Sequence, residues 1–99
     1  MGAVLKLRGL RQRKPYFALS LERENVVPGS PAALCLKKTI GALRTASILP
    51  APGDLDFEIP PVHHGWLRKV EGTDLLLIYG LNKQEDVVLW GVKTQWRMR

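Results

Sequence analysis

The carboxy-terminal third of the chain carries the clearest pattern of hydrophobic and polar positions. Residues 66–71, 74–81 and 87–93 are short runs rich in Leu, Ile, Val and Trp, a composition and length typical of β-strands. Residues 71–72 and 82–85 connect these runs, and connections this short join antiparallel strands as hairpins. The pattern predicts a meander of three consecutive antiparallel strands.

A helix start precedes the meander at Ser30-Pro31. A serine oxygen accepts a hydrogen bond from a free N–H of the first turn, and proline at the first helical position loses no hydrogen bond. Apolar residues then recur at helical spacing, with basic residues on the other side: Ala33, Leu36, Ile40 and Leu43 on one face, and Lys37, Lys38 and Arg44 on the opposite one. We therefore expect an α+β domain with one main helix packed on one face of an antiparallel sheet of four to five strands.

The amino-terminal part shows two further alternating stretches. Residues 1–14 alternate at their start, which predicts either an edge strand or a flexible basic segment. Residues 16–22 place Phe17, Leu19 and Leu21 on one side, which predicts a second strand. If both strands form, the turn between them becomes a basic tip that carries Arg11, Arg13 and Lys14.

Residues 49–64 contain four prolines and three acids. Prolines interrupt both helices and strands, so this stretch is expected to be a structured loop or an irregular meander. Its acids, Asp54, Asp56 and Glu58, share one side only if the segment is extended. With 99 residues and no convincing linker, the chain is expected to form a single domain over residues 1–99.

Charge is unevenly distributed along the chain. Fifteen basic residues against nine acidic ones give a net charge of +6, and residues 1–14 alone hold five of the bases. Lys93, Arg97 and Arg99 add a second basic cluster at the other end. Clustered basic residues favour a phosphate-rich partner such as RNA or the ribosome. An acidic protein partner and a merely solvated surface remain alternatives.

The sequence also indicates whether the protein is a membrane, secreted or cytoplasmic protein. Its longest apolar runs fall far short of the roughly 20 residues that a membrane helix needs, so no membrane association is expected. The amino terminus does not resemble a signal peptide, and the single cysteine, Cys35, has no partner for an internal disulfide. These features predict a cytoplasmic protein.

Motifs for nucleotide hydrolysis, dinucleotide binding and structural zinc are absent from the sequence. Cys35, between two leucines of the predicted helix, fits a small buried hydrophobe better than a nucleophile. The pair His63-His64 is open to three interpretations: a metal site with nearby acids, a general acid or base, or solvated side chains. Trp96, next to Arg97, could pack in the core or stack on a base. We expect no metal and no cofactor.

The segment 65–79, which begins Gly-Trp-Leu-Arg-Lys and ends Leu-Leu-Ile-Tyr, resembles the central hairpin of the RelE/ParE superfamily of bacterial toxins. Asp74 to Tyr79 is most similar to the YafQ-like branch, and Leu49-Pro50 also fits that branch. The resemblance implies a small basic cytoplasmic protein that cleaves mRNA on the ribosome and is neutralised by an antitoxin-like protein partner. It departs from the branch at Val70, where a catalytic histidine is usual, and at Lys93, which replaces the histidine of a Gly-Thr-His motif.

Together, the residues and the resemblance predict a site in two parts. The predicted catalytic residues of a metal-independent endoribonuclease are Lys69, Lys93 and His64. The predicted nucleic-acid-binding residues are Arg11, Arg13, Lys14, Arg68, Trp96, Arg97 and Arg99. The alternatives are a non-catalytic module that binds nucleic acid or an acidic protein, and a structural or assembly subunit.

Overall fold

The computed structural model of the chain describes residues 10–13, 16–59 and 63–94. In chain order its elements are β1 (Leu10–Gln12), α1 (Tyr16–Arg23), α2 (Pro31–Thr45), β2 (Leu55–Ile59), β3 (His63–Lys69), β4 (Leu75–Leu81) and β5 (Val87–Thr94). The strands form one sheet in the order β1-β5-β4-β3-β2. Strand β1 runs parallel to β5, and all other neighbours are antiparallel.

The predicted meander is confirmed as β3, β4 and β5. Gly72, in the β3–β4 turn, has a φ of +85°, a backbone conformation that glycine adopts without strain. The β4–β5 pairing contains a bulge: Tyr79 pairs with Leu89 while the preceding Ile78 pairs with Gly91. Trp90 is therefore the extra residue of β5, and the bulge changes the alternation of side chains at this point.

The predicted main helix is confirmed as α2. Ser30 Oγ accepts a hydrogen bond from the Ala33 N–H at 3.2 Å, and Pro31 occupies the first turn. Leu36 and Leu43 are buried against the sheet, as their spacing predicts. The helix ends at Thr45, before the prolines of the following loop.

Residues 16–22 do not form a strand, so that prediction is wrong. They belong to helix α1, which buries Phe17 and Ser20 at helical spacing and leaves Leu19 56% exposed. The alternation of apolar residues in this short stretch is compatible with both structures, and packing against β5 decides between them. Because the basic stretch before α1 contains strand β1, Arg11 lies in an edge strand and not at the tip of a hairpin.

The segment 49–64 is also more regular than predicted, because it contains strand β2. Leu55, Phe57 and Ile59 alternate with Asp56 and Glu58, and the four prolines lie outside these five residues. The sheet is therefore mixed and five-stranded, with two helices rather than one. Neither helix of the described chain has the length and apolar character that crossing a bilayer requires.

Helix α1 continues the hydrogen bonding of the sheet where β1 ends. Strand β1 pairs only with Val87, Val88 and Leu89 of β5. Farther along β5, the Val92 N–H donates to Ser20 Oγ at 3.1 Å, and Arg23 Nη2 donates to the Val92 carbonyl at 3.4 Å. Side chains of α1 therefore replace a neighbouring strand along this part of β5.

Both helices pack on the same face of the sheet. Phe17 of α1 and Leu36 and Leu43 of α2 form one core with buried strand residues: Val70, Leu75, Leu77, Tyr79, Val87, Leu89 and Val92. The opposite side is called the helix-free face below, since no helix of the described residues packs on it. Leu67 and Leu76 are buried there and do not belong to the helix-covered core.

Candidate nucleic-acid interface

The register of the sheet defines which side chains share the helix-free face. One row consists of Lys69, Leu76 and Lys93 on β3, β4 and β5. The next row along the strands consists of Leu55, Leu67 and Ile78, and a third of Phe57, Gly65, Gly80 and Val88. Residues in register on neighbouring strands point to the same side of a sheet. The helix-free face is therefore largely apolar, with lysines on both sides of Leu76.

Charges are segregated between the two sides of the sheet. On the helix-free face, the described strand positions carry the cations Arg11, Lys69 and Lys93 and no acid. The acids of β2, Asp56 and Glu58, pair in register with Trp66 and His64 and lie on the other side. The described strand positions of this face are thus basic, and of the three cations Arg11 is paired with Asp86, in the turn before β5.

The structure brings two of the predicted catalytic residues together. Lys69 and Lys93 lie two strands apart in one row, so their backbones are about 10 Å apart. Lys69 is exposed, whereas Lys93 is half-buried with its Nζ 5.2 Å from the centre of the Phe57 ring. The aromatic ring attracts this ammonium group. The two lysines therefore share one row of the sheet, and the ammonium group of Lys93 extends towards Phe57 of β2.

His64, the third predicted catalytic residue, lies on the opposite side of the sheet. Its ring is 5.2 Å from that of Trp66, which in turn contacts Tyr79 of the helix-covered core. Its Nε2 is 3.3 Å from Asp56 Oδ1, and both side chains are largely exposed. The sheet separates His64 from Lys69 and Lys93, so the three residues do not form one site.

Arg68, predicted to bind nucleic acid, is instead engaged within the protein. Its Nε and Nη2 donate to the two carboxylate oxygens of Asp54 at 3.0 and 2.9 Å, and Tyr79 donates its hydroxyl to Asp54 as well. The side chains of Arg68 and Asp54 are only 16% and 5% exposed. This network joins the loop before β2 to β3 and β4.

The network changes the acidity of its members. Burial alone would raise the pKa of Asp54, but hydrogen bonds from Arg68, Tyr79 and the Ala51 N–H, together with the charge of the guanidinium, hold this pKa below its ordinary value of 3.8. Burial and the adjacent carboxylate raise the pKa of the Tyr79 hydroxyl. Asp54 is therefore ionised and Tyr79 protonated at neutral pH.

The sequence contained part of the signal for this network. Arg68 lies two residues from Trp66, and the β3–β4 register pairs Trp66 with Tyr79, so alternation places Arg68 on the face of Tyr79. Asp54 could not be assigned in this way, because it lies in the proline-rich loop. The network borders a groove of about 570 Å³ between α2 and residues 51–54, whose lining also includes Lys38, Lys69 and Glu71.

The two described residues of the predicted basic tip, Arg11 and Arg13, contact different parts of the protein. Arg11 Nε is 3.1 Å from the Asp86 carboxylate. The Arg13 guanidinium lies 4.9 Å from the centre of the Trp90 ring and 5.9 Å from that of Tyr16. Trp90 is not among the binding residues predicted from the sequence. The remaining predicted binding residues, Lys14, Trp96, Arg97 and Arg99, lie outside the described residues.

Within the described part of the chain, no group of three or more His, Cys, Asp or Glu side chains could hold a metal ion. Comparisons of the chain with protein-family models, with curated proteins and with solved structures find no match.

Proposed function

We propose that this protein binds unpaired RNA through the helix-free face of its sheet. The observation that carries the proposal is the row formed by Lys69, Leu76 and Lys93, on a face whose described strand positions hold no acid. Phosphate contacts by lysine and arginine supply most of the affinity of proteins for nucleic acids. Lysines close to an aromatic ring, as Lys93 is to Phe57, suit a strand whose phosphates and bases are both accessible.

The same two lysines support RNA cleavage as a second element of the proposal. In the RelE-like toxins that the sequence resembles, a ribose 2′-oxygen attacks the adjacent phosphorus, a cyclic phosphate forms, and the 5′-oxygen leaves with a proton. Cations beside the scissile phosphate stabilise the charge that develops in this step. Lys69 and Lys93 lie where the resemblance implies basic residues. In this interpretation both lysines contact the scissile phosphate.

Binding is tested with a fluorescent single-stranded RNA by anisotropy at low salt. We expect Lys69→Ala combined with Lys93→Ala to weaken binding about tenfold or more, because two phosphate contacts are lost. Lys83→Ala is the matched control, since Lys83 is an exposed lysine of the β4–β5 turn. Equal effects of the control and the double variant would refute binding by the helix-free face.

Cleavage is tested separately by controlled expression in a bacterial host, with primer extension on a reporter transcript. New 5′ ends that disappear with Lys69→Ala and Lys93→Ala are expected of a ribonuclease toxin. RNA binding in vitro together with an intact transcript in the cell would leave the chain as a non-catalytic RNA-binding module.

A further inference from the structure

Two aromatic side chains of the helix-free face lie on either side of a pair of glycines. Gly65 and Gly80 are register partners on β3 and β4, and Phe57 continues the same row on β2. A Cβ atom at Gly80 would lie only 3.3 Å from Trp90 Nε1. The indole therefore lies against the backbone of β4, in space that any larger residue at position 80 would fill. Phe57 and Trp90 are both half-buried.

A basic side chain also lies close to each of these rings. Lys93 Nζ lies 5.2 Å from the centre of the Phe57 ring, and the Arg13 guanidinium lies 4.9 Å from that of Trp90. Such contacts orient long basic side chains beside an aromatic surface. The guanidinium group of arginine is planar and stacks on aromatic rings. The helix-free face therefore presents two units, each of one aromatic ring and one positive charge.

We infer that Phe57 and Trp90 are stacking positions for unpaired bases of the bound RNA, with Lys93 and Arg13 beside them to contact the adjoining phosphates. The inference rests on the proposed RNA binding and assigns the recognition of bases to particular residues. Aromatic rings interleaved with basic residues bind single strands because every base has a face that can stack. An apolar protein segment fits less well, since a cation lies beside each of the two rings.

The test compares two RNAs of about eight nucleotides that carry the same phosphates. One RNA has all its bases, and the other has abasic ribose at alternate positions. We expect the wild-type protein to bind the complete RNA about tenfold or more tighter, the size typical of lost stacking. Trp90→Leu is expected to reduce this preference strongly, and Phe57→Leu, on the edge strand β2, to reduce it as a second variant.

Two control variants separate stacking from charge and from folding. Lys69→Ala is expected to weaken the binding of both RNAs by the same factor and to keep the preference for the RNA with bases. Trp66→Leu removes a tryptophan from the other side of the sheet. This variant is also expected to keep the preference for the RNA with bases, and its folding is checked by circular dichroism. If the wild type binds both RNAs equally, or if Trp90→Leu and Phe57→Leu both keep the preference, the inference is wrong while RNA binding stands. If neither RNA binds, the proposed function fails with it.

Discussion

Asp54 is the single residue that connects most parts of this fold. Its carboxylate accepts two hydrogen bonds from Arg68 and one from Tyr79, and it also accepts the Ala51 N–H at 3.0 Å. Four groups from a loop and two strands thus converge on one side chain that is 5% exposed. Removing one partner of such a buried pair leaves the other charge uncompensated, which costs more than the loss of an exposed pair.

We predict that Asp54→Asn lowers the free energy of unfolding by about 3 kcal/mol at neutral pH, because Arg68 keeps a buried charge without its partner. The measurement is urea unfolding of both proteins. The matched control is Asp56→Asn, whose carboxylate is 85% exposed, and we expect its unfolding free energy to stay within about 0.5 kcal/mol of the wild type. Similar losses in both variants would contradict a special role of Asp54.

The pairing of Asp54 with Arg68 also predicts how the unfolding free energy depends on pH. Because the pKa of Asp54 is lowered in the folded protein, its carboxylate stabilises the fold fully above the ordinary pKa of 3.8, and this contribution is lost as the pH falls through the folded pKa. The difference in unfolding free energy between the wild type and Asp54→Asn is therefore constant near neutral pH and becomes smaller below about pH 4. A difference that grows on acidification would contradict this assignment.

At the scale of elements, α1 is notable because it takes the place of a strand. Ser20 donates to the Phe17 carbonyl at 2.7 Å and accepts from the Val92 N–H at 3.1 Å. Gly91, next to Val92, leaves little room for a side chain, since a Cβ atom there would lie 3.0 Å from Ser20 Oγ. The close approach of α1 to β5 therefore depends on a small residue on each side.

We predict that Ser20→Ala lowers the free energy of unfolding by about 2 kcal/mol, because the buried Val92 N–H loses its acceptor. Amide hydrogen exchange gives the more specific readout: protection of the Val92 N–H is expected to fall, while amides in the β3–β4 pairing keep theirs. Thr45→Ala, which removes an exposed hydroxyl near the end of α2, serves as control. Unchanged exchange at Val92 would refute the proposed edge contact.

The elements differ in how far the sequence predicts them. The meander and α2 were predictable because alternation, short turns and a helix cap all agree at these positions. Residues 16–22 were not, since Phe17, Leu19 and Leu21 fit a strand locally and packing against β5 selects the helix. Strand β2 was obscured by the prolines on either side of it, although Leu55, Phe57 and Ile59 alternate within it.

The candidate site, like the fold, was predictable from the sequence only in part. Alternation within the predicted hairpins places Lys69 on the side opposite to Arg68, but His64 was assigned to the loop before them, so its position across the sheet from the two lysines was not predicted. The pairing of Arg68 with Asp54 depends instead on how a proline-rich loop returns to the sheet, which no local pattern encodes. The stacking of Arg13 on Trp90 depends on the bulge in β5 and on the parallel pairing of β1. Both are tertiary features.

At the scale of the whole molecule, the two sides of the sheet differ in their cover and in their charge. The helices cover one side of the sheet, which also holds the acids of β2, while the described strand positions of the helix-free face carry only basic charges. Charged side chains of the described strands are therefore unevenly divided between the two sides of the sheet. A positive face of this kind attracts polyanions over a range that salt shortens.

The measurement that tests this claim most directly is the salt dependence of RNA binding. For a single strand, the logarithm of affinity falls with the logarithm of salt concentration by about 0.7 for each phosphate that is neutralised. Replacing Lys69 and Lys93 by alanine is therefore expected to make the slope shallower by about 1.4, whereas replacing the exposed lysines Lys37 and Lys83 leaves it unchanged. If both double variants change the slope equally, or neither does, RNA does not bind at the helix-free face.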